Sequence, residues 1–427
     1  MNVKIASLVF VFSFDLVSAE FTHYQCKENY NENDFLNEII DAISENSETD
    51  HNLCICGNFN VNAIGLNQKI SGEKENEKMN FRGNINVKYL GSTDGYGYGA
   101  AVNVKTNSGE LKRSQPILDS TYVFLEFDKF GEIQFGYMQS AASKFNINGG
   151  NVLKGYGSFS SNNLSSFYNL SSGTIIGTES VADDKNALKI AWTSPLFKGF
   201  SFGASYSFSG KNVSPFNSDR RKRNEGKGSY AWNDNYWDFR AAAPYSKNLL
   251  TVGASYEYGS ADDIFAKFSL SGWFGKGKTD RSDVKIKNVK ALNLGAILGY
   301  KDLKASFGFM NSGKSLLAAP TNVEFSGDSG KIYSLGISYK INEKIEISAG
   351  RLQSRVKFSE GKSIGKVATA ALEYVLEEHL KAYCEYDFVR TKTCTAALAL
   401  AENSENHLPK IENNRANIFM IGMKWEF

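Results

Sequence analysis

Asn417-Ile-Phe-Met-Ile-Gly-Met-Lys-Trp-Glu-Phe427 decides the fold. Every second residue, counted from its end, is large and apolar: Phe427, Trp425, Met423, Ile421 and Phe419. The alternate set begins Glu426, Lys424 and Gly422 before passing to Met420 and Ile418. A period of two over this length marks a β-strand with one greasy face. A strand of about 9–11 residues with alternating faces and an aromatic at the membrane-water boundary is what a transmembrane β-barrel requires. The stretch therefore predicts further strands of the same kind upstream.

The alternation starts at Gly57 and recurs to the end. Residues 57–66 set Phe59, Val61 and Ala63 against Asn58, Asn60 and Asn62. Residues 79–90 set Gly83, Ile85, Val87 and Tyr89 against Arg82, Asn84, Asn86 and Lys88. Residues 96–106, 120–128 and 131–138 follow, then 188–193, 200–208, 250–258, 264–270, 292–300, 303–309, 333–339, 345–352, 367–374, 380–388 and the terminal strand, sixteen in all. The links between them alternate short and long, seven against eight, as in an up-and-down barrel with a turn side and a loop side. All six prolines fall in links, in keeping with a residue that cannot donate to a ladder. The second face of the strands is Ser, Gly, Asn and Thr with scattered charge, as in Ser201, Gly203, Ser205 and Ser207. That pattern favours a water-filled lumen over the apolar interior of a sandwich. Arg351, in line with the outward Ile345, Ile347 and Ala349, breaks the pattern near the loop end.

Thirty Phe, 21 Tyr and 38 Gly against six Pro make a strand-rich composition. Lys and Arg total 48 against 46 acids, which argues against a polyanion-binding role for the chain as a whole. Residues 1–19 have a secretory signal pattern, with Lys4, a short apolar core and Val17-Ser18-Ala19. Residues 20–56 are expected to form a polar amino-terminal extension, and 57–427 the barrel. An odd cysteine count leaves a Cys26 disulfide to Cys54 or Cys56 as one option, and no second cluster completes a metal clip around Cys54 and Cys56.

The run Tyr122-Val-Phe-Leu-Glu-Phe-Asp-Lys-Phe-Gly-Glu-Ile-Gln-Phe-Gly136-Tyr-Met resembles a hairpin of the general bacterial porins. It has an apolar strand, an aromatic-Gly turn at Phe130-Gly131 and a second strand ending in Gly before a long loop. Asp94-Gly95, Tyr98-Gly99-Ala100, Val102 and the aromatic terminus are similar as well. The resemblance implies an all-β, sixteen-stranded antiparallel barrel in the bacterial outer membrane, forming a homotrimer, with its third loop folded into the lumen. It also implies passive diffusion of ions and small hydrophilic solutes past charged residues on loop and wall. Residues 140–185, rich in Gly, Ser and Asn, stand where that loop should be. Its charges include Lys144, Lys154 and Glu179. Wall candidates are Arg82, Lys88, Lys105 and Lys189, with Glu126 and Glu132 of opposite sign, and their balance leans towards anions.

Other chemistries fit less well. Gly95-Tyr-Gly-Tyr-Gly99 lacks the helix a phosphate loop needs. Arg220-Arg-Lys-Arg223 is an isolated basic run, more in keeping with solvent or lipid head groups than nucleic acid. None of the four histidines stands on a strand beside a nucleophile and a carboxylate, so no enzyme and no cofactor are expected. The rival reading is an outer-membrane barrel that acts as an adhesin or partner-binding protein through long external loops, 209–246 and 391–414 above all.

Overall fold

The computed structural model describes residues 51–68, 77–93, 95–108, 117–157, 159, 175, 177–178, 186–210, 244–260, 263–280, 282, 284–321, 327–358, 361–392 and 413–427. The expected signal peptide, most of the amino-terminal extension, Cys26 and Glu179 lie outside these residues.

Sixteen strands close into an antiparallel barrel. In chain order they are β1 (His51–Gln68), β2 (Glu77–Thr93), β3 (Tyr96–Ser108), β4 (Ile117–Phe127), β5 (Gly131–Tyr137), β6 (Leu188–Thr193), β7 (Phe200–Ser209), β8 (Tyr245–Gly259) and β9 (Ile264–Lys278). They continue with β11 (Val289–Tyr300), β12 (Leu303–Asn311), β14 (Lys331–Asn342), β15 (Ile345–Phe358), β16 (Gly361–Glu377), β17 (Leu380–Lys392) and β18 (Asn413–Glu426). Two short strands outside the barrel, β10 (Val284–Ile286) and β13 (Ala318–Pro320), pair with each other. Each barrel strand pairs with its neighbours in sequence, and β18 closes onto β1 from Asn58↔Glu426 to Gln68↔Ala416. Phe427 completes the seam: its N–H donates to the Gly57 carbonyl at 3.0 Å and its carbonyl accepts from Gly57 N at 2.7 Å. Closure leaves no strand edge to lipid, which a bilayer could not hydrogen-bond.

The two faces separate as their residues require. Ile421, Leu335, Val123 and Phe135 stand about half exposed on the outside, forming a continuous apolar belt. At the turn side Phe59 stacks with Phe81, Trp425 and Phe427, so the terminal strand contributes to an aromatic cluster at one rim.

Two boundaries differ from expectation. β1 begins at His51, so residues 51–56 belong to the barrel and not to the extension. Leu53 and Ile55 continue its outward apolar row while Cys54 and Cys56 are buried on the inner one, and His51–Cys56 pair with β2 from Gly91 to Asn86. The long link expected at 353–364 is mostly strand, with Phe358 opposite Gly361. Its many cations resemble a loop in composition. They nonetheless alternate with buried Leu352, Ser354, Val356, Ser363 and Gly365, and that alternation decides the structure.

Candidate channel lumen

After β5 the chain turns into the barrel. Ser140 caps a one-turn helix, α1 (Ala141–Lys144), its Oγ accepting from Ser143 N at 3.2 Å. Asn148 caps a 3-10 turn at Gly149–Val152 through a reciprocal pair of bonds with Gly150 N and the Asn151 side chain. Neither turn is long enough to stand alone in water. Both are held by the wall.

A buried backbone must find partners for its N–H and C=O groups, and the Ser and Thr of the inner face provide them. Ala141 N donates to Ser205 Oγ at 3.0 Å and Ala142 N to Thr251 Oγ1 at 3.3 Å. Further along, Ser306 Oγ donates to the Gly149 carbonyl at 3.0 Å, and Gly149 N donates to Ser334 Oγ at 2.9 Å. Lys154 N reaches Ser348 Oγ at 2.9 Å, and Ser354 Oγ donates to the Ile175 carbonyl. Glycines between the hydroxyls let the loop come this close. A Cβ on Gly203 or Gly253 would lie 2.6 Å from the Phe145 ring, and one on Gly336 would lie 1.9 Å from the Gly149 carbonyl oxygen. The segment thus follows the wall from β7 to β15. It continues round to β17, where Tyr156 N donates to the Glu385 carboxylate, and the Tyr156 hydroxyl reaches β2 to accept from Asn80 Nδ2. A segment that touches β7, β15, β17 and β2 in turn can only run inside the barrel. Burial raises the Tyr156 phenol above its ordinary pKa, with Arg82 opposing, so it is neutral where it meets Asn80.

The expected charged residues divide into three groups. Arg82 and Lys88 lie on the inner face of β2, over the rings of Tyr156 (6.0 Å) and Phe124 (4.6 Å), and have no carboxylate partner among the described residues. Others have polar or charged partners. Lys105 pairs with Asp119 at 2.8 Å, at the bulge between β3 and β4, and Lys154 pairs with Glu346 at 3.0 Å. Glu132 stands opposite Glu126 and accepts from Gln134 Nε2, whose Oε1 accepts from Lys144 Nζ at 2.9 Å. Lys189 forms the third group alone and corrects the expectation of a pore-lining charge. It is fully buried, its ammonium donating to the Met138 carbonyl at 2.7 Å, because the loop begins directly over it.

Sequence reasoning missed the β15–β18 side. Lys424 pairs with Glu373 and Lys381 with Glu426, each at 2.9 Å, and the Tyr383 hydroxyl donates to Asn60 Oδ1 at 2.8 Å. Inward parity on β16, β17 and β18 would have found these residues. No periodicity would have found Tyr156. Towards the loop side the inner face of β14–β18 and β1 turns apolar, and Ile64, Leu66, Ile332, Leu352, Val356, Val367, Val389, Ile418 and Met420 join Phe159 and Ile175 in one cluster. The interior is therefore filled on that side, whereas Asn84, Asn86, Asn103, Lys105 and Glu126 of β2–β4 remain partly exposed.

The family model for Gram-negative porins matches residues 45–393. The chain belongs to that family. Its barrel accordingly lies in a bacterial outer membrane, the loop side outward. An uncharacterized protein of Rickettsia conorii is 21% identical over 318 residues, covering 64% of this chain and 70% of the relative. One of Rickettsia bellii is 23% identical over 354 residues, covering 72% and 76%. Among solved structures, the in-vitro folded trimer form of OmpT from Vibrio cholerae matches with a TM-score of 0.54 at 13% identity, over 88% of this chain and 99% of that one. An anion-selective porin of Comamonas acidovorans matches with a TM-score of 0.52 at 12% identity, over 88% and 100%. OmpF of Salmonella typhi, in complex with daunomycin, matches with a TM-score of 0.54 at 12% identity, over 88% and 97%. At these identities the structures speak for the shared barrel alone.

Proposed function

We propose that this porin is a passive diffusion channel for ions and small hydrophilic solutes, assembled as a homotrimer. The observation that carries the reading is the polar strip on β2–β4, lying opposite a loop held against the far wall. Such a strip replaces the hydration that an ion loses on leaving water. In this reading the work is positioning: the loop narrows the passage and the wall sets its charge. Among the described residues Arg82 and Lys88 have no carboxylate partner, while Lys105, Lys154, Lys381 and Lys424 are paired with carboxylates. The passage is accordingly weakly anion-preferring.

Refolded protein in a planar bilayer tests this. Stepwise conductance, with a reversal potential across a salt gradient of the sign that anion flow gives, is the expected result. A folded barrel that passes no current overturns it and turns attention to the external loops as a binding surface. Chemical cross-linking in detergent separately tests the trimer.

A further inference from the structure

Arg351, the residue out of place on the outer face, has company. On β14 the outward row runs Tyr339, Ile337, Leu335, Tyr333 and then Lys331. On β15 it passes from Ile347 and Ala349 to Arg351, Arg355 and Lys357. On β16 it passes from Leu372, Ala370 and Ala368 to Lys366 and Lys362. On β17 it goes from Tyr386 and Phe388 to Arg390 and Lys392, and on β18 from Ile421 and Phe419 through Asn417 to Arg415. Five neighbouring strands thus change from apolar to basic at one level, the upper edge of the lipid belt. The outward rows of β2–β7 carry no Lys or Arg among the described residues.

The register places these cations beside one another. Lys366 is the Cα partner of Arg390, and Arg390 of Arg415. Lys331 faces Arg355, and Lys357 faces Lys362. Like charges opposite each other in a sheet are destabilising, and the outward rows here carry no acid at this level. None of the nine cationic groups forms an ion pair with a carboxylate among the described residues; Asp328 comes nearest, its Oδ1 accepting from the Lys357 backbone N at 3.0 Å. All but Lys331 and Lys366 are well exposed. The arrangement is costly in isolation and favourable against a layer of anions. Beside Arg415 the wall also has a hollow lined by Asn67, Phe388 and Asn417, three residues opposite one another on neighbouring strands. Tyr386 holds its Asn417 rim through a 2.7 Å bond to Oδ1.

We infer that this face binds the phosphate groups of anionic lipids in the outer leaflet, with their acyl chains continuing down the apolar belt of the same five strands. Guanidinium groups fit phosphate oxygens in bidentate geometry. Strands about 4.8 Å apart bring successive cations to neighbouring lipids. The inference concerns the outer wall and does not depend on whether the lumen conducts.

Native mass spectrometry of the refolded protein in neutral detergent tests it, with dimyristoyl phosphatidylglycerol and dimyristoyl phosphatidylcholine as probes. The wild type should retain phosphatidylglycerol in preference to phosphatidylcholine, and added salt should weaken that preference. In the triple variant K366Q/R390Q/R415Q, phosphatidylglycerol affinity should fall by about tenfold or more, with phosphatidylcholine unchanged. A control triple at the turn side, K198Q/K301Q/K304Q, removes equal charge and should keep the preference. Circular dichroism and thermal unfolding of both variants establish that the barrel is intact. If the basic-face variant is misfolded, the single changes R390Q and R415Q should each lower the preference. Equal loss in the control, no preference in the wild type, or full displacement by inorganic phosphate would each overturn the assignment. A lack of preference would leave the face to an acidic protein partner, and displacement would leave it to a soluble phosphate.

Discussion

Where the loop crosses β7 to β15 the inner wall is mainly Ser, Thr and Gly, and a backbone lies on it; on β2–β4 it is mainly Asn with Arg, Lys and Glu, and stays partly open to water. Both walls are polar in composition, but they differ in side-chain reach. A hydroxyl on a short stem beside a glycine presents a flat surface that another main chain can approach to hydrogen-bond distance. Longer side chains hold a main chain away and keep a gap for solvent. Side-chain length on a single face thus decides where the loop lies and where the passage remains.

Adding bulk to the flat wall is the strongest way to break this comparison. Gly336→Val places side-chain carbon where the Gly149 carbonyl sits, at a cost of about 3 kcal/mol to the docked loop. The loop should leave the wall, conductance should rise, and hydrogen exchange of residues 141–152 should accelerate while the barrel's circular dichroism holds. Unchanged conductance would mean that the loop does not set the passage. Next in size is the charge of the open wall. Reversal in R82E/K88E should carry the reversal potential to the cation side, and a value that stays on the anion side would show that selectivity is set elsewhere.

A smaller effect should come from Ser205→Ala, which removes the acceptor for Ala141 N and the Thr251 partner at 2.7 Å. About 1 kcal/mol of local stability should be lost, read as faster exchange at α1 with little change in conductance. The smallest is Lys189→Met, which should leave the reversal potential where it is, because that ammonium is shut beneath the loop. A measurable shift would mean that Lys189 senses the passing ions after all.

The same contrast explains which features the sequence made legible. Period two exposed all sixteen strands, since one face must meet lipid. The outward row of β15 and β16 turns basic beyond Arg351, and residues 353–364 consequently resembled a link although their inner row stays apolar or small. The Ser and Gly of β7 were visible as a polar face, but composition does not say whether water or a loop covers them. Lys105 and Lys154 were recognisable as candidates, whereas their partners Asp119 and Glu346 follow from a bulge and from docking, both tertiary. Lys189 was misplaced for the same reason: inward parity was correct, but the loop's path over it is not written in any period.

The pairing of Gly57 with Phe427 has a consequence for assembly. The two strands that meet at this seam lie at opposite ends of the described barrel, whereas each other ladder of the barrel joins consecutive barrel strands. Neighbouring ladders can zip from local turns, but this one demands the largest loop closure in the molecule. Until it forms, β1 and β18 each expose an unpaired row of N–H and C=O groups. Open intermediates should therefore persist longest at this seam, and a factor that helps the barrel to assemble would do most by shielding those two edges.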